Sequence, residues 1–159
     1  MRRLIASWFG TGLLLRRWRG SDMGSGTVGS VLALGMALLL GRLGWGAQLA
    51  AAVVVGIVSV WASSPFASDP AREGGKEGDP GWVVVDEAAG TFVATIGLGV
   101  PAALVAWAVF RAADIFKSAF PGVAAAERLG GGVGITADDL VAGGYGLAAG
   151  ALVTLALGG

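Results

Sequence analysis

The sequence predicts an all-α fold, an integral membrane bundle of about four to five short helices with an acidic site at its cytoplasmic face. Three observations predict it. Hydrophobic residues make up 55% of the 159 residues and charged residues only 14%, with a mean hydropathy of +0.74, whereas soluble domains are about one-quarter charged. Apolar runs close to membrane-spanning length are separated by short Gly- and Pro-containing turns. Finally, the acids fall in pairs at the ends of those runs, as Asp86-Glu87 and Asp138-Asp139. Adjacent carboxylates at a membrane surface persist only if water, a basic partner or a hard cation balances them. The length fits a single domain over residues 1–159.

Composition removes several chemistries at once. With no cysteine there is no disulfide, thiol nucleophile or thiolate site, and with no histidine there is neither the usual general base nor imidazole ligation. Carboxylates, Lys, Arg, hydroxyls and backbone remain, and an imidazole-free carboxylate site suits magnesium, calcium or manganese. No nucleic-acid partner is expected.

Residues 1–19 place Arg2, Arg3, Arg16, Arg17 and Arg19 around Trp8, Phe9, Leu13 and Trp18, the pattern of an interfacial amphipathic segment. More arginine follows the apolar stretch, with no small-residue cleavage site, which argues against a signal peptide. Residues 20–30 read as a glycine-rich loop whose amides suit phosphate oxygens, or as a plain turn with Thr27 or Ser30 as cap. Residues 1–27 are thus a basic interfacial segment and a loop. Apolar helices are expected over 28–43 and 47–62, joined by a turn at 44–46. Residues 63–80, with three prolines and many charges, read as a polar loop without chemistry.

An apolar helix is expected from 82 to 98, broken by Gly97, Gly99 and Pro101 and resumed over 102–110. If 99–101 is a turn, Arg111 and Asp114 return to the level of Asp86 and Glu87; if it is not, one helix over 90–110 separates them. Arg111, Asp114 and Lys117 follow at intervals of three and can share a helix face. They form either an ion-pair ladder or the lining of a polar site. Trp82, Trp107, Phe110 and Phe116 read as interfacial anchors. Residues 131–143 read as a glycine-rich loop giving way to a last helix over 140–157. Asp138 and Asp139 there are either metal ligands or a helix cap. Gly143, Gly144, Gly146 and Gly150 would let that helix pack closely.

Under the hairpin arrangement, Arg2, Arg3, Arg16, Arg17, Arg19, Arg72, Lys76, Arg111, Lys117 and Arg128 fall on one side and Arg42 alone on the other. The positive-inside rule then puts the N-terminus and the acids in the cytoplasm.

Four blocks stand in order. They are Phe9-Gly10-Thr11-Gly12-Leu13 with Gly26-Thr27-Val28-Gly29-Ser30, then Val85-Asp86-Glu87-Ala88-Ala89-Gly90, then the stretch from Phe110 to Lys117, and last the stretch from Gly131 to Gly143. Together they resemble the phosphatidylglycerophosphatase A family over nearly the whole chain. The chain departs from the family at Ser25-Gly26-Thr27, where Pro-Gly-Thr is usual, and after Lys117, where Lys-Pro-x-Pro is usual. Glu127-Arg128 stands loosely for its Asp-Arg. These departures touch loop shape more than the acids.

The resemblance implies a multi-pass enzyme of the bacterial inner membrane. It would hydrolyse phosphatidylglycerophosphate to phosphatidylglycerol and inorganic phosphate in phospholipid biosynthesis, with Mg2+ as cofactor. Asp86, Glu87, Asp114, Asp138 and Asp139 would hold one or two metal ions, and Arg111, Lys117 and Thr27 would meet the phosphate. The nucleophile is either water or an aspartate carboxylate. Two other classes compete with this reading. A CDP-alcohol phosphotransferase would need a spaced Asp run that is absent here. A non-enzymatic cation-binding membrane protein would place its acids at mid-membrane instead of at helix ends.

Overall fold

The structure, a computed structural model, describes residues 1–67 and 80–158. Most of the polar loop expected over 63–80, with Arg72 and Lys76, lies outside the described residues. The described residues form eight α-helices and two 3-10 turns: α1 (Arg2–Ala6), α2 (Thr11–Arg19), α3 (Ser25–Gly41), α4 (Trp45–Ser63), a turn at Ser64–Phe66, α5 (Val85–Ala94), α6 (Val100–Ile115), a turn at Lys117–Ala119, α7 (Val123–Glu127) and α8 (Gly131–Ala156). The segments Trp45–Phe66 and Gly131–Ala156 are long and apolar enough to cross a bilayer, and Ser25–Gly41 is shorter. Among the described residues, two helices of spanning length therefore stand where the sequence suggested four to five short ones.

α5 is the axis of the bundle. Every residue in it except Glu87 and Val93 is buried, although its ten residues reach only about 15 Å at 1.5 Å per residue. That is half the hydrocarbon thickness of about 30 Å, so α5 is enclosed by its neighbours and does not itself span. Hydroxyls in it and just past it are satisfied by its own carbonyls: Thr91 donates to that of Glu87 at 2.7 Å, and Thr95, the next residue after the helix, to that of Thr91 at 2.9 Å. The break contains Gly97 at φ +70, one of the expected breakers, but it falls between Ala94 and Val100 instead of at 99–101, and Pro101 already lies in the first turn of α6. The hairpin itself stands.

Glycines set the close contacts of α8. A Cβ on Gly143 would sit 2.6 Å from the Gly90 carbonyl oxygen, and one on Gly146 would sit 2.5 Å from that of Ala106. Gly150 meets Leu98, Ala102 and Ala106 in the same way. Read upward, these contacts show α5 running alongside α8 and α6 running back against both. Gly144 meets nothing within 4 Å. Gly146→Ala should therefore lower the thermal midpoint in detergent by pushing α6 off α8. Gly144→Ala should leave it equal or raise it slightly, by the roughly 0.5–1 kcal/mol that separates Gly from Ala in a helix. Equal melting of the two variants would contradict this seam.

The structure corrects four local expectations. α8 starts at Gly131, nine residues before the expected 140, so Asp138 and Asp139 lie inside a helix and cap nothing. The reason is packing: Gly132 lets the Val60 carbonyl and Ser64 approach, and Gly134 does the same for the Glu127 carbonyl. Likewise α3 starts at Ser25 behind Gly24 at φ +87, which puts Thr27 in its first turn rather than in a loop. Residues 1–19, expected to lie at the interface, form two helices separated by Trp8, Phe9 and Gly10 at positive φ, and the segment is partly buried. Trp8 turns inward against Phe92 at 6.2 Å. Last, Trp82 and Phe110 are core residues and not anchors, while Phe116 is exposed.

Candidate functional site

The first turn of α5 carries Asp86 and Glu87, where the positive end of the helix dipole favours carboxylates. The close crossing at Gly90 sets them opposite α8. A Cβ there would fall 2.7 Å from the Asp139 carbonyl oxygen and 2.5 Å from the Phe110 ring. Asp86, Glu87 and Asp139 each turn one carboxylate oxygen toward the others, all within 4.8 Å. The α3 N-terminus closes another wall, since a Cβ on Gly26 would run into Glu87 Oε1 and lie 3.2 Å from Arg111.

The other two acids are held by cations. Arg111 lies 2.8 Å from Asp114, one turn along α6. Lys117 does not share their helix face, because α6 ends at Ile115 and Lys117 lies in the 3-10 turn beyond. Its Nζ donates instead to Asp138 Oδ2 at 2.5 Å and to Glu127 Oε1 at 2.7 Å. Burial alone would discharge this amine, but the hydrogen bonds to Asp138 and Glu127 and their charges outweigh it, and Lys117 is held above its ordinary value of 10.5. Its charge and the stability that depends on it are complete at neutral pH and are lost only as pH rises through that raised value. A fall in activity on acidification thus has another source.

Asp139 joins the two groups, since it meets Asp86 and Glu87 across the crossing and follows Asp138 in α8. Asp86, Glu87, Asp114, Asp138, Asp139, Arg111 and Lys117 all come together, as the hairpin required. Thr27 sits at the edge, its side chain exposed and its carbonyl accepting from Ser30 at 3.0 Å. Sequence reasoning missed Glu127 as a partner of Lys117; its only signal was the place it takes in the weakly matching Glu127-Arg128.

A hard divalent cation fits this donor set. All donors are oxygen, and among the buried side-chain atoms that lack a hydrogen-bond partner are Glu87 Oε2 and Asp139 Oδ1. A buried carboxylate oxygen without a donor is costly, and a cation removes the cost for both.

A family model described as Phosphatidylglycerophosphatase A matches residues 4–156. No curated protein and no solved structure matches the chain.

Proposed function

Since the chain belongs to the phosphatidylglycerophosphatase A family, a family of phosphatases, we propose that it hydrolyses the phosphomonoester of phosphatidylglycerophosphate, with Mg2+ held by Asp86, Glu87 and Asp139. The observation that carries this reading is the meeting of three carboxylates from α5 and α8, two of them buried and Glu87 half-buried, with Arg111 and Lys117 at one end of the bundle.

A phosphomonoester dianion needs positive charge on its oxygens and an attacking group in line with the leaving oxygen. The chemistry supplied by bound magnesium is neutralisation of phosphoryl oxygens and activation of the attacking group. Arg111 offers a planar fork and Lys117 a point charge to the remaining oxygens. Asp114 and Asp138 hold these two cations in position before substrate arrives and stand as further oxygen donors once the phosphate engages them. Thr27 and the first-turn amides of α3 add hydrogen bonds to the phosphate. The attacking group is a water or one of the aspartates, and the buried carboxylates are placed to take a proton from the former.

Lipid substrate and protein then share a membrane, in which α4 and α8 span and the acidic end faces the cytoplasm. The stacking of Arg2 on Trp61 at 4.6 Å and Arg3 on Trp82 at 5.2 Å supports this, because it seats the basic N-terminus at the acidic end. In detergent with phosphatidylglycerophosphate, the protein should release inorganic phosphate with magnesium and fall to background with a chelator, recovering on re-addition. Release unaffected by chelation would overturn the metal role, and no release under any condition would overturn the activity.

A further inference from the structure

At the end of the bundle away from the acids, a cavity of about 450 Å³ opens between α3, α4 and the α5–α6 turn, lined by Arg42, Trp45, Gln48, Gly97 and Val100 among others. Gln48, 1% exposed, fixes its floor: Nε2 donates to the Ala37 carbonyl at 3.0 Å, and Oε1 accepts from the Gly97 amide at 2.8 Å. One side chain thus ties three elements around the hollow. Among the described residues Arg42 is the only charged one lining it, and no carboxylate does. α3 brings its negative end to the same place, where the carbonyls of Leu39, Leu40 and Gly41 accept from the amides of Arg42, Leu43 and Gly44. α4 and α6 both start at the cavity without a side-chain cap, which adds to its positive character. Trp45, 64% exposed, stands at the rim, where an indole suits the boundary between head groups and acyl chains.

We propose that this cavity binds the phosphodiester head group of an anionic phospholipid in the leaflet opposite the acidic site, with Arg42 as the counter-cation. The site is separate from the first. Arg111 stands eleven residues along α6 from Val100, about 16 Å at 1.5 Å per residue. A phosphodiester supplies one negative charge to one guanidinium, and the apolar lining of Leu38 and Leu98 receives the start of the acyl chains. The inference rests on the membrane placement and is independent of the phosphatase reading.

The test uses full-length protein in phosphatidylcholine nanodiscs containing phosphatidylglycerol with a photoreactive head group, and maps adducts by peptide mass spectrometry. Adducts are expected on the segments carrying Trp45 and residues 97–100. Arg42→Gln should reduce them about tenfold, the scale of one charge-assisted hydrogen bond, and Arg42→Lys should reduce them less. A photoreactive phosphatidylcholine should label this region weakly, and excess inorganic phosphate should not displace the lipid. Unchanged labelling in Arg42→Gln, or equal labelling by the phosphatidylcholine probe, would overturn the proposal. Displacement by inorganic phosphate would also overturn it, by showing a free-anion site. Phosphate release by Arg42→Gln should equal that of the parent, so failure here and failure of the proposed activity are read separately.

Discussion

Asp139→Asn should fold, insert and lose magnesium-dependent phosphate release on the order of a hundredfold or more, the scale of removing a charged group that acts on the reacting centre. Asn has nearly the same shape, so the crossing of α5 and α8 beside it is undisturbed. What changes is charge: one of three carboxylates within 4.8 Å is gone. A titration with magnesium separates two causes, because partial recovery at high magnesium means weakened affinity, while a flat low response means a lost role at the reacting atoms. Parent-level release at limiting magnesium would remove Asp139 from the site. The capping explanation has no place left, since the residue lies well inside α8.

The second large effect concerns Lys117. Replacing it with alanine strips the counter-charge from Asp138, whose side chain is only 5% exposed, and an unpaired buried charge is itself destabilising. Lys117→Arg is therefore the informative companion, because it keeps the charge but changes the shape presented to a phosphate. If Lys117 binds phosphate, Lys117→Ala and Lys117→Arg should both lower kcat/KM, by about a hundredfold and tenfold respectively, while only the alanine variant melts earlier. Activity that follows the melting temperature across both variants would make Lys117 a structural ion pair with Asp138 and Glu127.

Much of the site was legible in the sequence because it rests on spacing. A turn at 99–101 was expected to return Arg111 and Asp114 to the level of Asp86 and Glu87, and the structure sets Arg111 beside Glu87, with the turn between Ala94 and Val100. What was not legible depends on the partner each small residue meets. Gly132 and Gly134 read as loop formers, but in α8 they are contact points for the Val60 and Glu127 carbonyls. No local signal separates a glycine that turns a chain from one that lets another chain approach. Trp8 was misplaced for a related reason: a basic, aromatic stretch looks interfacial, and only the positive φ at Trp8 and Phe9 turns the indole into the core. Lys117 escaped its helix because Phe116, at φ −104 and ψ 46, ends α6 one residue before it.

Asp86 precedes Gly90 by four residues, and Asp139 precedes Gly143 by four. In each of α5 and α8, therefore, a carboxylate and the glycine of the crossing lie one turn apart on the same stripe. The two helices are phase-locked: the seam that joins them also aims the acids. Inserting or deleting one residue between acid and glycine would rotate one relative to the other by about 100°, so contact and chemistry could not both be kept. Changes of length are absorbable only outside these two four-residue intervals, and the acid cluster inherits its alignment from backbone contact and not from the side chains around it.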